Sequence, residues 1–186
     1  MTAGRGLVHS EMPEQEEGRM RGFQLWVNLP AKDKMVDPRY QEFDAAKIPG
    51  VRPTAGVAVK VIAGEVDGVR GPIAQPATDP VYLDVKLDAG ATWEYALPEG
   101  QNSFAYVFEG DVVLGDGEDA RALATHEMGV LGGGDVVKLQ AGTAGARLIL
   151  VSGRPLREPV ARHGPFVMNT RQELMQAFVD FQEGRF

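Results

Sequence analysis

Val81-Tyr82-Leu83-Asp84-Val85-Lys86-Leu87, closed by Asp88-Ala89-Gly90, is a strand-like run followed at once by a turn signal. The same pattern recurs on both sides of it. Further runs lie at Val57 to Ile62, Phe104 to Val107, Asp111 to Leu114, Asp135 to Leu139 and Ala146 to Val151. Turn signals punctuate them at Asp67-Gly68, Pro98-Glu-Gly100, Glu109-Gly110, Asp116-Gly117, Gly132-Gly-Gly134 and Ala141-Gly142. Many short strands at regular spacing indicate a β-barrel or jelly roll and argue against alternating strand and helix.

Outward from this block the signal changes. Between Pro30 and Pro53 there is little periodicity, and a long connection with one short turn of helix is expected there, marking a domain boundary. Ahead of it, Phe23, Leu25, Val27 and Leu29 alternate with Gln24, Trp26 and Asn28, which predicts a half-buried strand over residues 22–29. Glu14, Glu16, Glu17, Arg19 and Arg21 around Gly18 predict an exposed turn. At the other end, Thr170 stands three residues before Glu173, with Leu174, Phe178 and Phe181 at helical spacing and Gly184 as the stop. These predict an amphipathic helix over 171–183 whose aromatic stripe packs on the protein itself.

Composition narrows the function. With 186 residues, 44% of them hydrophobic, the chain can bury a real core. A formal charge of −7 without any Lys/Arg-rich block argues against nucleic acid as a partner. There is no cysteine, so any metal must be held by histidine and carboxylate. No basic-then-apolar leader and no long apolar run is present, which reads as a cytoplasmic protein with no membrane partner.

The candidate ligands are His9 and Glu11, two residues apart in a glycine-flanked apolar run that reads as a strand, so that both side chains would leave one face. Imidazole nitrogen and carboxylate oxygen suit iron or another divalent transition metal, but a catalytic centre normally takes three or four protein ligands. His126, beside Glu127 and ahead of a Gly-rich turn, and His163, just before Gly164-Pro165, read as surface histidines. No nucleophilic triad and no phosphate-cradling loop is evident.

Gly4-Arg-Gly-Leu-Val-His-Ser-Glu-Met-Pro13, Gly22-Phe-Gln-Leu-Trp-Val-Asn-Leu-Pro30, Val151-Ser-Gly-Arg-Pro-Leu156 and Gly164-Pro-Phe-Val-Met-Asn-Thr170 together closely resemble the pirin family. The resemblance implies an all-β bicupin, two jelly-roll-like barrels in tandem, with one metal, commonly iron, held in the first barrel by three histidines and a glutamate. By motif His9 would be the third histidine and Glu11 the glutamate, while a His-x-His pair would precede Met1. On this reading the chain is a carboxyl-terminal fragment with an incomplete iron site. Residues 1–45 would be a remnant of the first barrel with its linker, 46–160 the complete second barrel, and 161–186 a tail and helix. The family implies quercetin 2,3-dioxygenase-like oxygenation of a flavonol for the intact parent, and with half the ligand set little activity is expected of this chain alone; the alternatives are a non-catalytic regulatory module that binds a protein partner, or an inactive truncated pirin. The cupin metal motif laid on Gly134 to Gly145 puts Gln140 at its proline and Gly145 at its histidine, with Arg147 where a glutamate would align, so the second barrel is expected to be metal-free.

Overall fold

The structure, a computed structural model, describes residues 1–12, 17–75 and 77–186. It contains two compact units, one of residues 43–155 and one combining residues 1–42 with 156–186. Each is described in turn.

In the first of these, the strands in chain order are β1 (Gly50–Val51), β2 (Val57–Ala63), β3 (Glu65–Val66), β4 (Val69–Arg70), β5 (Val81–Leu87), β6 (Thr92–Ala96), β7 (Asn102–Leu114), β8 (Arg121–Leu123), β9 (Met128–Val130) and β10 (Val136–Gly153). Eight of them form one antiparallel sheet in the order β1-β2-β5-β10-β7-β8, with β6 also pairing β10 and β9 also pairing β7. The remaining two, β3 and β4, form a small hairpin turned at Asp67-Gly68. Alternation decides which side faces inward: Val57, Val59 and Val61, then Leu83, Val85 and Leu87, then Ala105 and Val107, and finally Leu148 and Leu150 enter one apolar cluster with Trp93 and Leu139. Fully burying a side chain of this size is worth about 1.5–3 kcal/mol against leaving it exposed, which makes this cluster the dominant stabilising term of the unit.

Two of the expected turns are absent as turns. Phe104 to Val107 and Asp111 to Leu114 belong to a single 13-residue strand, β7, and the run expected from Asp135 to Leu139, which starts one residue later at Val136, joins Ala146 to Val151 in a single 18-residue strand, β10. Glu109-Gly110 and Ala141-Gly142 mark a distortion where these long strands pair. Ala141 is opposite Val112 and Ala146 opposite Gly110, so residues 142–145 bulge out against the single residue Asp111. Such bulges bend a strand and let it serve two sheets. Accordingly the early part of β10 pairs β6, and its later part pairs β5. A positive φ at Gly110 (70°) and Gly145 (79°) permits the bend, and a Cβ added at Gly110 would lie 2.0 Å from the Gly145 carbonyl oxygen.

The second unit is built differently. A hairpin of β11 (Ala161–His163) and β12 (Phe166–Met168) is followed by helix α1 (Arg171–Gln182). The helix starts where the capping box predicts. The Thr170 hydroxyl accepts from the Glu173 N–H at 3.2 Å, and Glu173 Oε2 accepts from the Thr170 N–H at 2.7 Å. Leu174 is its buried residue, and Phe178 meets Phe166 edge-on at 4.9 Å. Phe181 and the terminal Phe186 extend that cluster against Phe166, at 6.2 and 5.9 Å. From the amino-terminal segment, Thr2 and Arg39 exchange backbone hydrogen bonds of 2.8 and 3.0 Å. The connection after Pro30 holds two short 3-10 turns where one was expected, Ala31–Asp33 in this unit and Ala45–Lys47 at the start of the other.

The strand predicted over 22–29 does not form. These residues have no regular secondary structure, and Phe23, Leu25, Trp26 and Val27 are exposed. Alternation produces a strand only where a neighbouring strand accepts its backbone groups and a layer covers its apolar face. Of the mixed-charge stretch, residues 13–16, including Glu14 and Glu16, lie outside the described residues; Glu17 and Gly18 form a bend, and Arg19 and Arg21 are exposed.

The bend predicts that Gly110→Ala lowers stability by about 3 kcal/mol in chemical denaturation, combining backbone strain with overpacking. Gly117→Ala, also at positive φ but with open space around it, should lose only about 1 kcal/mol. For the helix, Thr170→Ala should cost about 1 kcal/mol of local stability over 171–182, read by amide hydrogen exchange. Hydrogen bonds from Thr170 hold the Glu173 carboxyl below its ordinary pKa. Because the folded-state value is the lower one, this contribution is present above the unfolded carboxylate pKa and disappears as pH falls through the folded value. The helix of the native chain should therefore loosen on acidification, and Glu173→Gln should flatten that dependence.

Candidate functional site

His9 and Glu11 belong to a segment anchored at its start and open at its end. Gly4, with φ 54°, lies so near the Val36 carbonyl that an added Cβ would be 2.1 Å from its oxygen. The Arg5 N–H donates to the same carbonyl at 2.9 Å, and the Arg5 guanidinium pairs with Asp37. At Gly6, φ is 146° and an added Cβ would lie 2.3 Å from the Phe186 ring. The two glycines of the motif thus have a packing role: they fit the segment against residues 36–37 and the terminal aromatic cluster. Leu7 is half-buried, and from Val8 to Met12 the chain is exposed.

The strand expected across His9 and Glu11 is not present; the segment is irregular there, and among the described residues no neighbouring strand supplies a ladder. Both candidate ligands are exposed. Glu11 Oε1 accepts a 3.1 Å hydrogen bond from Gln24 Nε2, which leaves the second carboxylate oxygen available. Gln24 is a contributor that motif reading missed, although its place on the polar side of the 22–29 alternation was the available signal. Among the described residues no group of three or more His, Asp or Glu side chains is arranged to hold a metal. Two donors fall short of the three or four that iron or zinc normally takes from protein, so the described residues do not by themselves make up a complete centre.

The other histidines have structural surroundings of their own. His126 occupies a turn between β8 and β9 with φ 73°, and its Nδ1 is 3.4 Å from Tyr106 Oη. His163, expected in a loop, ends strand β11, and its ring meets Phe178 edge-on at 5.4 Å. Beside the hairpin, Glu158 Oε2 accepts from the Ala31 N–H at 2.7 Å and from Asn169 Nδ2 at 3.0 Å. Lys34 lies near it, 6% exposed, with its Nζ donating to Asn28 Oδ1. Burial pushes the Lys34 ammonium below the ordinary lysine pKa, and the charges of Glu158 and Glu173 oppose that shift. This polar cluster joins residues 28–34 to residues 158–173.

In the barrel, Arg147, where the cupin motif would align a glutamate, has its side chain on the outer face. The bulge at 142–145 changes the register, and Arg147 stands on the face opposite core residues Ala146 and Leu148, bound to Asp84 by two hydrogen bonds of 3.0 and 2.7 Å. Its guanidinium also lies 5.2 Å from the Phe108 ring centroid. The Asp84 hydrogen bonds raise the Arg147 pKa above its already high value. A cleft beside the bulge, lined by Lys86, Asp88, Glu109 and Arg147 among others, encloses about 190 Å³. That is smaller than the roughly 300–1,000 Å³ of ordinary small-molecule sites.

Known proteins place this geometry in a family. Residues 82–186 match the Pirin C-terminal cupin domain and residues 1–27 match Pirin. A pirin-like protein of Caulobacter vibrioides is 53% identical over 100% of this chain and 66% of its own length. Pirin of Mus musculus is 46% identical over 100% of this chain and 63% of its own length. Among solved structures, quercetin 2,3-dioxygenase from Acinetobacter baumannii superposes with a TM-score of 0.79 at 35% identity, over 87% of this chain and 55% of that one. The chain spans about two thirds of the length of the curated relatives it matches. Its barrel is a cupin domain, and no helix among the described residues is long and apolar enough to cross a membrane. The chain belongs to the pirin family.

Proposed function

We propose that His9 and Glu11 are two donors of a pirin-type iron centre, whose parent activity is quercetin 2,3-dioxygenase-like oxygenation of a flavonol, and that this chain by itself holds metal weakly. The observation that carries the proposal is the pair itself: one imidazole and one carboxylate, both open to solvent, in a segment that matches the family. Likeness to the Acinetobacter baumannii quercetin 2,3-dioxygenase supports the substrate class. Iron, or another divalent transition metal, would supply the oxygen chemistry. The protein's share here is to present the two ligands and to orient one of them, through Gln24 donating to Glu11. In this reading residues 1–45 carry the metal-bearing remnant, 46–160 the second cupin barrel, and 161–186 the tail and helix.

A second reading is favoured by a separate observation. Phe23 at 45%, Trp26 at 58% and Val27 at 50% exposed, with Arg162 over the Trp26 ring at 5.4 Å, present a run of partly exposed apolar side chains of the sort that protein-binding surfaces carry. On that reading the chain is a regulatory module that binds a protein partner.

Anaerobic titration with Fe(II) should show no tight stoichiometric uptake by the native chain. The residual binding should disappear in His9→Ala and weaken roughly tenfold in Gln24→Ala, since removing a partner that orients a ligand typically costs that much. Tight one-to-one uptake would overturn the weak-binding proposal, and residual binding unchanged in His9→Ala would remove His9 from the centre. Capture of a protein partner that persists in the double variant His9→Ala, Glu11→Ala would favour the regulatory reading.

A further inference from the structure

Every sulfur atom in this chain belongs to a methionine, because there are seven Met and no Cys. Their placement is unusual for so apolar a residue, which is ordinarily among the more often buried. Six of the seven are exposed: Met1 at 52%, Met12 at 82%, Met20 at 65%, Met35 at 59%, Met128 at 57% and Met175 at 59%. The seventh, Met168 in β12, is half-buried. The buried cluster inside the cupin barrel is made of Val, Leu, Ala and Trp and contains no sulfur.

Two-electron oxidants attack protein thiolates and, where those are absent, thioethers. We propose that the surface methionines, Met12 first among them, are sites of reversible modification by hydrogen peroxide. A lone pair of the Met12 sulfur attacks one peroxide oxygen and the O–O bond breaks. A sulfur–oxygen bond forms, the sulfur is oxidised by two electrons, and the rest of the peroxide leaves as water after proton transfer. The side chain changes from flexible and apolar to polar and hydrogen-bond-accepting. Reversal is the chemistry of a thiol-dependent sulfoxide reductase: two thiols become a disulfide and the oxygen departs as water.

The location of the sulfur separates modification from damage. Oxidation of a core methionine disrupts packing, whereas here the barrel core has no methionine to oxidise and should keep its fold. Met12 immediately follows Glu11, and Met20 precedes the exposed Phe23 and Trp26. Oxidation therefore places new polar groups beside the candidate ligand and the partly exposed apolar run.

The test uses the whole chain with excess hydrogen peroxide and a strong chelator, so that bound metal takes no part. Peptide mapping over time should find Met12 gaining one oxygen at a rate within roughly threefold of free methionine, and Met168 at least about fivefold more slowly, as their exposures require. The thermal transition of the barrel should survive complete oxidation at Met12, and a thiol-dependent methionine sulfoxide reductase should restore the original mass. Met12→Leu should lose the fastest oxygen uptake and leave the other sites unchanged. Equal rates at Met12 and Met168, loss of the barrel transition in step with oxidation, or a sulfoxide at Met12 that the reductase cannot reach would each overturn the proposal.

Discussion

The close approach of two backbones, Gly110 against Gly145, governs the shape of the barrel. At that point an added Cβ would lie 2.0 Å from a carbonyl oxygen, so the contact exists only because no side chain is there. It lets β7 and β10 stay paired through a bend, so that the other edge of each takes two strands in succession: β6 and then β5 along β10, β9 and then β8 along β7. The inward positions of these long strands then converge on one apolar cluster. The same bend sets the outward face. By shifting register across 142–145, it turns Arg147 away from the core and onto Asp84, on which it closes a bidentate ion pair with Phe108 beneath it.

A different balance holds the unit formed by residues 1–42 and 156–186. Its strand content is one short hairpin and one backbone bridge among the described residues, so side chains carry more of the order. The Phe166, Phe178, Phe181 and Phe186 rings supply apolar contact. Glu158, Asn169, Asn28 and Lys34 supply directional contact by hydrogen bonds. A buried lysine is tolerable there because carboxylates lie close enough to offset part of its desolvation. Gly4 and Gly6 dock the amino-terminal segment onto this unit, and the chain beyond Leu7 is left open.

That division explains the character of the candidate centre. The residues that pack are glycines and an aliphatic side chain, and the residues that could bind follow directly after them without cover. Metal chemistry needs several ligands held in fixed geometry. Here one of the two candidate ligands has a single orienting hydrogen bond, from an amide on an irregular segment. Such a pair can contribute to a centre, but it does not set one up.

What the sequence by itself determined is whatever local chemistry specifies: the runs that become β2 and β5, the turn at Asp67-Gly68, and helix α1 with its capping box, where neighbours within four residues provide the partners. The family was equally legible, in motifs around His9, Phe23, Arg154 and Asn169. Tertiary structure alone decided whether Glu109-Gly110 and Ala141-Gly142 turn the chain or bend a continuing strand, because the outcome depends on a partner strand far along the chain. Likewise, it decided that residues 22–29, with good strand alternation, stay irregular, since period-2 patterning supplies a face but no ladder to join. For the same reason the spacing of His9 and Glu11 named two candidate ligands, while their common face was never a property of the spacing: a shared face requires a strand, and a strand requires a neighbour.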